Sequence, residues 1–520
     1  MSHRPPFRLG ALALAAACLT AACATPSLPE TRSRQLQALE AGDAAIQVKT
    51  LDLASGELSL EIAASEAILA LTNPTDLTLN VQAIFEGTER AAARQVSALG
   101  HASLDECGLR PHRKLPAIKP RLSLRALEEP TPSHSFDATR SFVIGGDDLE
   151  NPSPIPQARL VYDGAHCVIY LDDRDAAQLS PTDADALGKI FDTRTYPALT
   201  AAFGAEPEHP GDTFNFGEDR TVFLFSQALG TSLPGSAGMV DMLDFFHPDL
   251  LVDFGIHSNY AKMVYMLPSA ISPMTPGTMA HEFVHVLFAM KRQATYGALH
   301  GHKEQSAFGW DPSYYLDDQT YFSEKGMNEG LAELGKFIAG YSPSDMPVAV
   351  ERIGRFLGNP HLFDLLFFDG PAGSNYGGMG LFNSYVYGRN AAFPKNFLTA
   401  QGTGSAAIAE AAGIGFDGLY RDFTLAMVLD GLAAPVPNRY QIPMVNLHAT
   451  YDLGFGLGPL RGANDGTAPV TLHAPRPHGV RFSRVQFPTG KGKLTISGDP
   501  QLKASLILLD PARPQGFLED

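Results

Sequence analysis

The chain has 520 residues, of which 44% are hydrophobic and 18% charged, and a formal net charge of -17 at pH 7. This length exceeds one ordinary hydrophobic core and calls for several folded units, and the composition excludes a disordered chain. The acidic excess excludes nucleic acid as a partner, because its phosphates would be repelled, and leaves protein or small-molecule partners.

Arg4 and Arg8 precede an apolar run from Leu9 to Leu19, then small residues up to Cys23. The run is too short for a permanent span and reads as a signal peptide over residues 1–22. Thr20-Ala21-Ala22-Cys23 reads as a lipobox with Thr20 where Leu is usual, the alternative being a plain secretory signal cut near Ala24. Acylated Cys23 would then anchor the protein in a membrane. Ala24 resembles the sorting signals that send lipoproteins to the outer membrane, so an exported, tethered protein is expected. Residues 23–47 hold Pro, Ser and charges without an apolar run, as a tether does. Outside the signal region only Cys107 and Cys167 remain, which predicts one disulfide in an oxidising compartment, the alternative being two unpaired buried thiols.

Residues 48–108 show short period-two runs, Leu58 to Ile62 and Leu77 to Val81, between Gly, Asn and Pro, and are expected to form a small antiparallel β domain. Residues 109–157, rich in Pro and mixed charge, read as a linker. A larger unit over 158–433 opens with probable strands Ala158–Tyr162 and Cys167–Leu171. A helix then runs from Asp183 to Tyr196, which Pro197 ends or kinks. Further strands are expected at Thr221–Phe225 and Ala261–Met266, the latter as a sheet edge able to pair with an extended substrate or else as a core strand. Thr275-Pro276 supplies a capping hydroxyl and an N-terminal proline for a helix to about Arg292. A loop from Gln293 to Ser323 holds Trp310, and a second helix follows from Met327 to Ala339 with Gly340 as its stop. Helical patterns recur at 349–357, 378–388, 405–413 and 416–430, and residues 434–520 return to alternating runs that predict a second small β domain.

The first of the two site helices carries His281-Glu282-Phe283-Val284-His285. Residues four apart on a helix are neighbours, so both imidazoles project from one face at a spacing that suits zinc, and Glu282 sits beside them as a candidate general base. By residue frequency such a pentapeptide arises by chance in about one chain in a hundred of this length. Zinc requires a third protein ligand. Phe288 and Lys291 stand where a metzincin would have Gly and His, which excludes that arrangement. Glu304 lies at an aminopeptidase-type offset but among His300-Gly301-His302-Lys303, in a loop; Glu329 opens Asn328-Glu329-Gly330-Leu331-Ala332-Glu333 on a helix, with Glu333 one turn on and able to orient a ligand imidazole. Glu329 is therefore the favoured ligand over Glu304. His300 and His302 read as exposed loop histidines, and Tyr385 and Tyr387, considered as oxyanion donors, read as packing tyrosines.

His281-Glu282-x-x-His285 followed after a long gap by Asn328-Glu329-x-x-x-Glu333 resembles the gluzincin metallopeptidases, and among them the hyicolysin family. The likeness covers roughly residues 160–432 and includes Val222 to Ser226, a turn region from Gly235 to Asp241, Ser258-Asn259 before a strand carrying Tyr265, and the Asp417 to Leu429 helix. Met327 departs from the Trp or Leu that members often have there. The resemblance implies an α+β, zincin-like catalytic domain flanked by the two β domains, and a Zn2+-dependent endopeptidase acting on protein or peptide. Its metal ligands carry over to His281, His285 and Glu329, and its catalytic carboxylate to Glu282. Two other readings stay open on the residues alone: a catalytically silent surface lipoprotein that binds a partner, and a zinc hydrolase of non-peptide substrates.

Overall fold

The computed structural model describes residues 46–86, 105–107, 137–145, 152–206, 220–245, 257–268, 271–293, 318–366, 374–430, 437–447, 450–451, 455–456, 475–487 and 491–509, apart from isolated positions within them. The expected signal peptide and the tether up to Ala45, including Cys23, lie outside these residues, as do His300, His302, Glu304 and Trp310. Among the described residues no helix is long and apolar enough to cross a membrane.

The strands in chain order are β1 (Ile46–Leu51), β2 (Glu57–Ile62), β3 (Glu66–Thr72), β4 (Val81–Glu86), β5 (Asp105–Cys107), β6 (Thr139–Ile144), β7 (Ser153–Asp163), β8 (Cys167–Asp172), β9 (Thr221–Phe225), β10 (Ser236–Met239), β11 (Met263–Met266), β12 (Thr450–Tyr451), β13 (Phe455–Gly456), β14 (Val480–Gln486), β15 (Gly492–Gly498) and β16 (Lys503–Leu509). The helices are α1 (Pro181–Ile190), α2 (Tyr196–Phe203), α3 (Ala228–Ser232), α4 (Thr275–Phe288), α5 (Asp318–Ile338), α6 (Pro347–Gly358), α7 (Ser374–Arg389), α8 (Phe393–Thr399), α9 (Gly404–Ala412) and α10 (Phe416–Leu429). The class is α+β, as expected.

The two expected β domains are one. The first and last parts of the chain interleave in a sheet ordered β1-β16-β3-β14 and a second ordered β2-β15-β4. Strand β3 explains why the halves need each other. Its period of two sends Ala67, Leu69 and Leu71 into the core shared with the second sheet, and Ile68 and Ala70 into the core of the helical body. With both faces buried, β3 requires a neighbour on each edge, and both neighbours, β16 and β14, come from the C-terminal part. Leu77 to Val81 is not a strand: Leu77 is exposed and pairing begins at Val81. Residues 437–447 belong to the helical body, since the Asp430 carboxylate at the end of α10 accepts from the amides of Ile442 and Leu447.

The main sheet has the order β5-β10-β11-β9-β8-β7-β6. Its centre, β8, β9 and β11, is parallel, and near-continuous apolar sequence fills both faces. Cys167, Ile169, Leu171, Phe223, Phe225, Val264 and Met266 meet the helices, while Val168, Tyr170, Val222, Leu224, Met263 and Tyr265 face away from them. The expected linker at 109–157 is therefore corrected where it is described: β6 and the start of β7 pair in this sheet, and β5 also joins it instead of the N-terminal domain. Strand β11 is internal, between β10 and β9, and not a sheet edge. The stretch read as a turn from Gly235 to Asp241 contains β10.

Pro197 does not end a helix. The backbone stays helical from α1 through a wide turn over Phe191–Thr195 into α2, and that wide turn just before Pro197 accommodates the N–H that the proline lacks. The predicted disulfide is absent: Cys167 is a buried free thiol on β8. The backbone of Cys107, on β5, lies four strands away. At about 4.8 Å per strand that is roughly 19 Å, against the limit near 7 Å for bridged Cα atoms.

Candidate metal centre

Helix α4 is apolar on nearly every side, because it lies between the main sheet and the other helices; Met279, Ala280, Phe283, Val284, Val286 and Leu287 are all in the core. It begins at Thr275 itself. The Thr275 hydroxyl accepts from the Ser272 amide instead of capping, while Pro276 sits in the first turn as predicted. Four residues apart on this helix, the His281 and His285 rings lie 4.8 Å centroid to centroid at an interplanar angle of 83°. Helix α5 begins nine residues earlier than the pattern at Met327 suggests, at Asp318, and ends before Gly340, whose φ of 84° only glycine adopts without strain.

Close approach of these helices depends on glycine. A Cβ at Gly335 would lie 2.5 Å from Val284 Cγ2 on α4, and one at Gly330 would lie 2.9 Å from the Met379 carbonyl on α7. The approach brings Glu329 to the histidine pair. Its Oε2 is 3.4 Å from His281 Nε2 and 3.5 Å from His285 Nε2, with all three side chains fully buried. One ligand atom from each residue lies within 4.8 Å of the others. Among the described residues neither His281 Nε2 nor Glu329 Oε2 reaches a partner with full hydrogen-bond geometry. Leaving such atoms buried costs about 1–3 kcal/mol each, more for a charge, unless something between them accepts their lone pairs. Two imidazole nitrogens and a carboxylate oxygen aimed at one point can hold a metal ion.

The electrostatics fit that role. Burial pushes His281 below the usual imidazole value, with Glu329 opposing only in part. Burial acts the same way on His285, but the charge and hydrogen bonding of Glu329, with Glu282 and Asn328, reverse it and the net shift is upward. For Glu329 burial works against ionisation, yet His285 and His281 together hold the carboxyl well below the usual carboxylate range. The carboxylate is therefore ionised at neutral pH.

A second layer lies against the rings. His285 Nδ1 is 2.9 Å from Asn328 Oδ1, which accepts the ring proton and so puts the lone pair on Nε2. His281 Nδ1 lies 3.5 Å from Glu333 Oε1, which sets Glu333 beside the ring without the hydrogen bond expected of it. The same oxygen lies 3.0 Å from Lys336 Nζ and 3.1 Å from Arg352 Nη1, both of them buried cations. Arg352 also stacks over the Tyr376 ring at 4.5 Å, and the Tyr376 hydroxyl donates to Glu329 Oε1 at 3.3 Å. Asn328, Lys336, Arg352 and Tyr376 were not singled out as site residues by sequence; Asn328 alone had a signal, as the neighbour of Glu329. Tyr385 donates instead to the Arg439 carbonyl and packs, as read, while Tyr265 lies on the sheet face turned away from the helices.

Glu282 is fully buried between α4 and β10. A Cβ on Gly238 of β10 would stand 2.7 Å from Glu282 Oε1, so the strand runs against this carboxylate with its glycine at the contact. In a Gly238→Ala protein the carboxylate must move while the three candidate ligands stay in place. Metal content is expected to hold and turnover to fall. An alanine protein with unchanged turnover would show that Glu282 tolerates displacement.

No protein-family model matches the chain, and no curated protein matches it.

Proposed function

We propose that the chain is a zinc-dependent endopeptidase with a zincin-like catalytic unit of the gluzincin kind, tethered to a membrane through Cys23 and acting on protein or peptide. The observation that carries this reading is the buried convergence of His281, His285 and Glu329 beside Glu282. Two nitrogens and one oxygen suit zinc, which accepts four ligands and in catalytic sites keeps one position open. When bound, zinc supplies a Lewis acid that lowers the pKa of a water and polarises a carbonyl. Glu282, whose charge acts on the neighbouring His285, would take a proton from the water and return it to the leaving nitrogen, so one carboxylate would serve as base and then as acid. Asn328 holds the His285 ring with Nε2 directed inward, and Glu333 lies beside the His281 ring. Tyr376, whose hydroxyl donates to Glu329 Oε1, is suited to donate to a developing oxyanion.

Zinc analysis of folded protein tests the ligand set. Wild type and Glu304→Gln are expected to retain zinc, Glu329→Gln to lose it, and cleavage of unfolded casein to stop on chelation and return with zinc. Full zinc retention in Glu329→Gln with loss in Glu304→Gln would sink the assignment.

A further inference from the structure

Strand β10 has a neighbour on each side. On the inner side it pairs antiparallel with β11, Gly238 opposite Met266 and Met239 opposite Tyr265. On the outer side it pairs parallel with β5, Ser236 opposite Asp105 and Gly238 opposite Cys107. Gly238 is also the point at which β10 meets Glu282. The outer edge of β10 is thus a backbone ladder running directly past the candidate general base, and the chain's own residues 105–107 occupy it. An extended peptide presented to Glu282 needs backbone partners at this place, since edge N–H and C=O groups are what an incoming strand pairs with. Those groups are already used.

The occupant is held lightly. Two register pairs join β5 to β10, against five between β8 and β9, and β5 terminates the sheet. It competes, however, as part of the same chain. An intramolecular strand acts at an effective concentration that reaches the millimolar range, which suppresses binding of a dilute peptide even when the pairing is short.

From this register we infer that residues 105–107 are an internal blocking strand, which fills the peptide-binding edge of β10 and leaves it before an extended peptide binds beside Glu282. The inference rests on the peptidase reading for the identity of the competitor. A strand that merely covers an aggregation-prone edge has the same resting position but stays in place when peptide binds.

The experiment uses the zinc-loaded full chain carrying Glu282→Gln, with fluorescein-labelled unfolded casein as the probe and anisotropy as the readout. Glu106→Pro with Cys107→Pro removes a donor from both alternating sets of ladder positions. Casein affinity is expected to rise about tenfold or more in the proline protein, by loss of the intramolecular competitor. Equal affinity with and without the prolines overturns the inference. Hydrogen exchange on the chain without prolines gives an independent test. Casein should release protection at the amides of 105–107 while 236–239 stay protected. Retained protection at 105–107 with casein bound overturns the inference regardless of how the proline protein folds. A wild-type chain that binds casein and never cleaves it refutes the chemistry of the centre and leaves the blocking strand standing.

Discussion

Glu282→Gln protein is expected to fold, to keep its zinc and to lose casein cleavage by roughly 10²- to 10⁴-fold, the range that a positioned general base contributes. The substitution preserves shape, so the side chain keeps its place against Gly238. It also leaves His281, His285 and Glu329 untouched. What it removes is the capacity to accept a proton, so the loss should fall on kcat with KM little changed. Zinc and cleavage measured on the same preparations separate the readings. Metal in both proteins with cleavage in wild type alone supports the peptidase, whereas metal in both and cleavage in neither favours a silent centre or a non-peptide substrate. Wild-type turnover in Glu282→Gln would falsify the assigned role.

The second large effect is on stability. Glu333 is the anion between two buried cations, Lys336 and Arg352, and also faces the His281 ring. Glu333→Gln leaves both cations buried with that charge gone, and breaking a buried ion network from one side costs about 3–5 kcal/mol. Urea unfolding of the zinc-free protein should register a loss of this size. Glu333→Gln combined with Lys336→Met, which removes one of the stranded charges, should recover part of it. A single-variant loss below about 1 kcal/mol, the value typical of exposed pairs, would mean that solvent screens the network.

The metal helices were legible because their chemistry is local. His281 and His285 sit one turn apart, Glu329 and Glu333 likewise, and each pair can be read from the sequence without knowing what lies across from it. Arg352 and Tyr376 were not legible for the opposite reason. They reach the centre only because α7 packs against α5 and α6 against α7, and an arginine on an amphipathic helix looks like any solvated cation until that packing is known. Strand β10 was taken for a turn because Ser-Ala-Gly-Met lacks the β-branched residues that mark strands. Its glycine answers to Glu282 instead. The β sandwich was divided in two because nothing in residues 46–51 announces that their partners are 504–509. The proposed disulfide failed similarly, since a count of cysteines carries no distance.

That interleaving bears on how the protein reaches its folded state. Ile46 pairs with Leu509, and Glu66 with both Gln486 and Leu509, so the sandwich closes only across contacts more than 400 residues apart. Such closure is entropically late, and topologies dominated by distant pairing fold slowly. During synthesis from the N-terminus the apolar strand β3 emerges long before either neighbour exists. Until residues 480–509 arrive, it is an unpaired, aggregation-prone segment that must be kept from other chains.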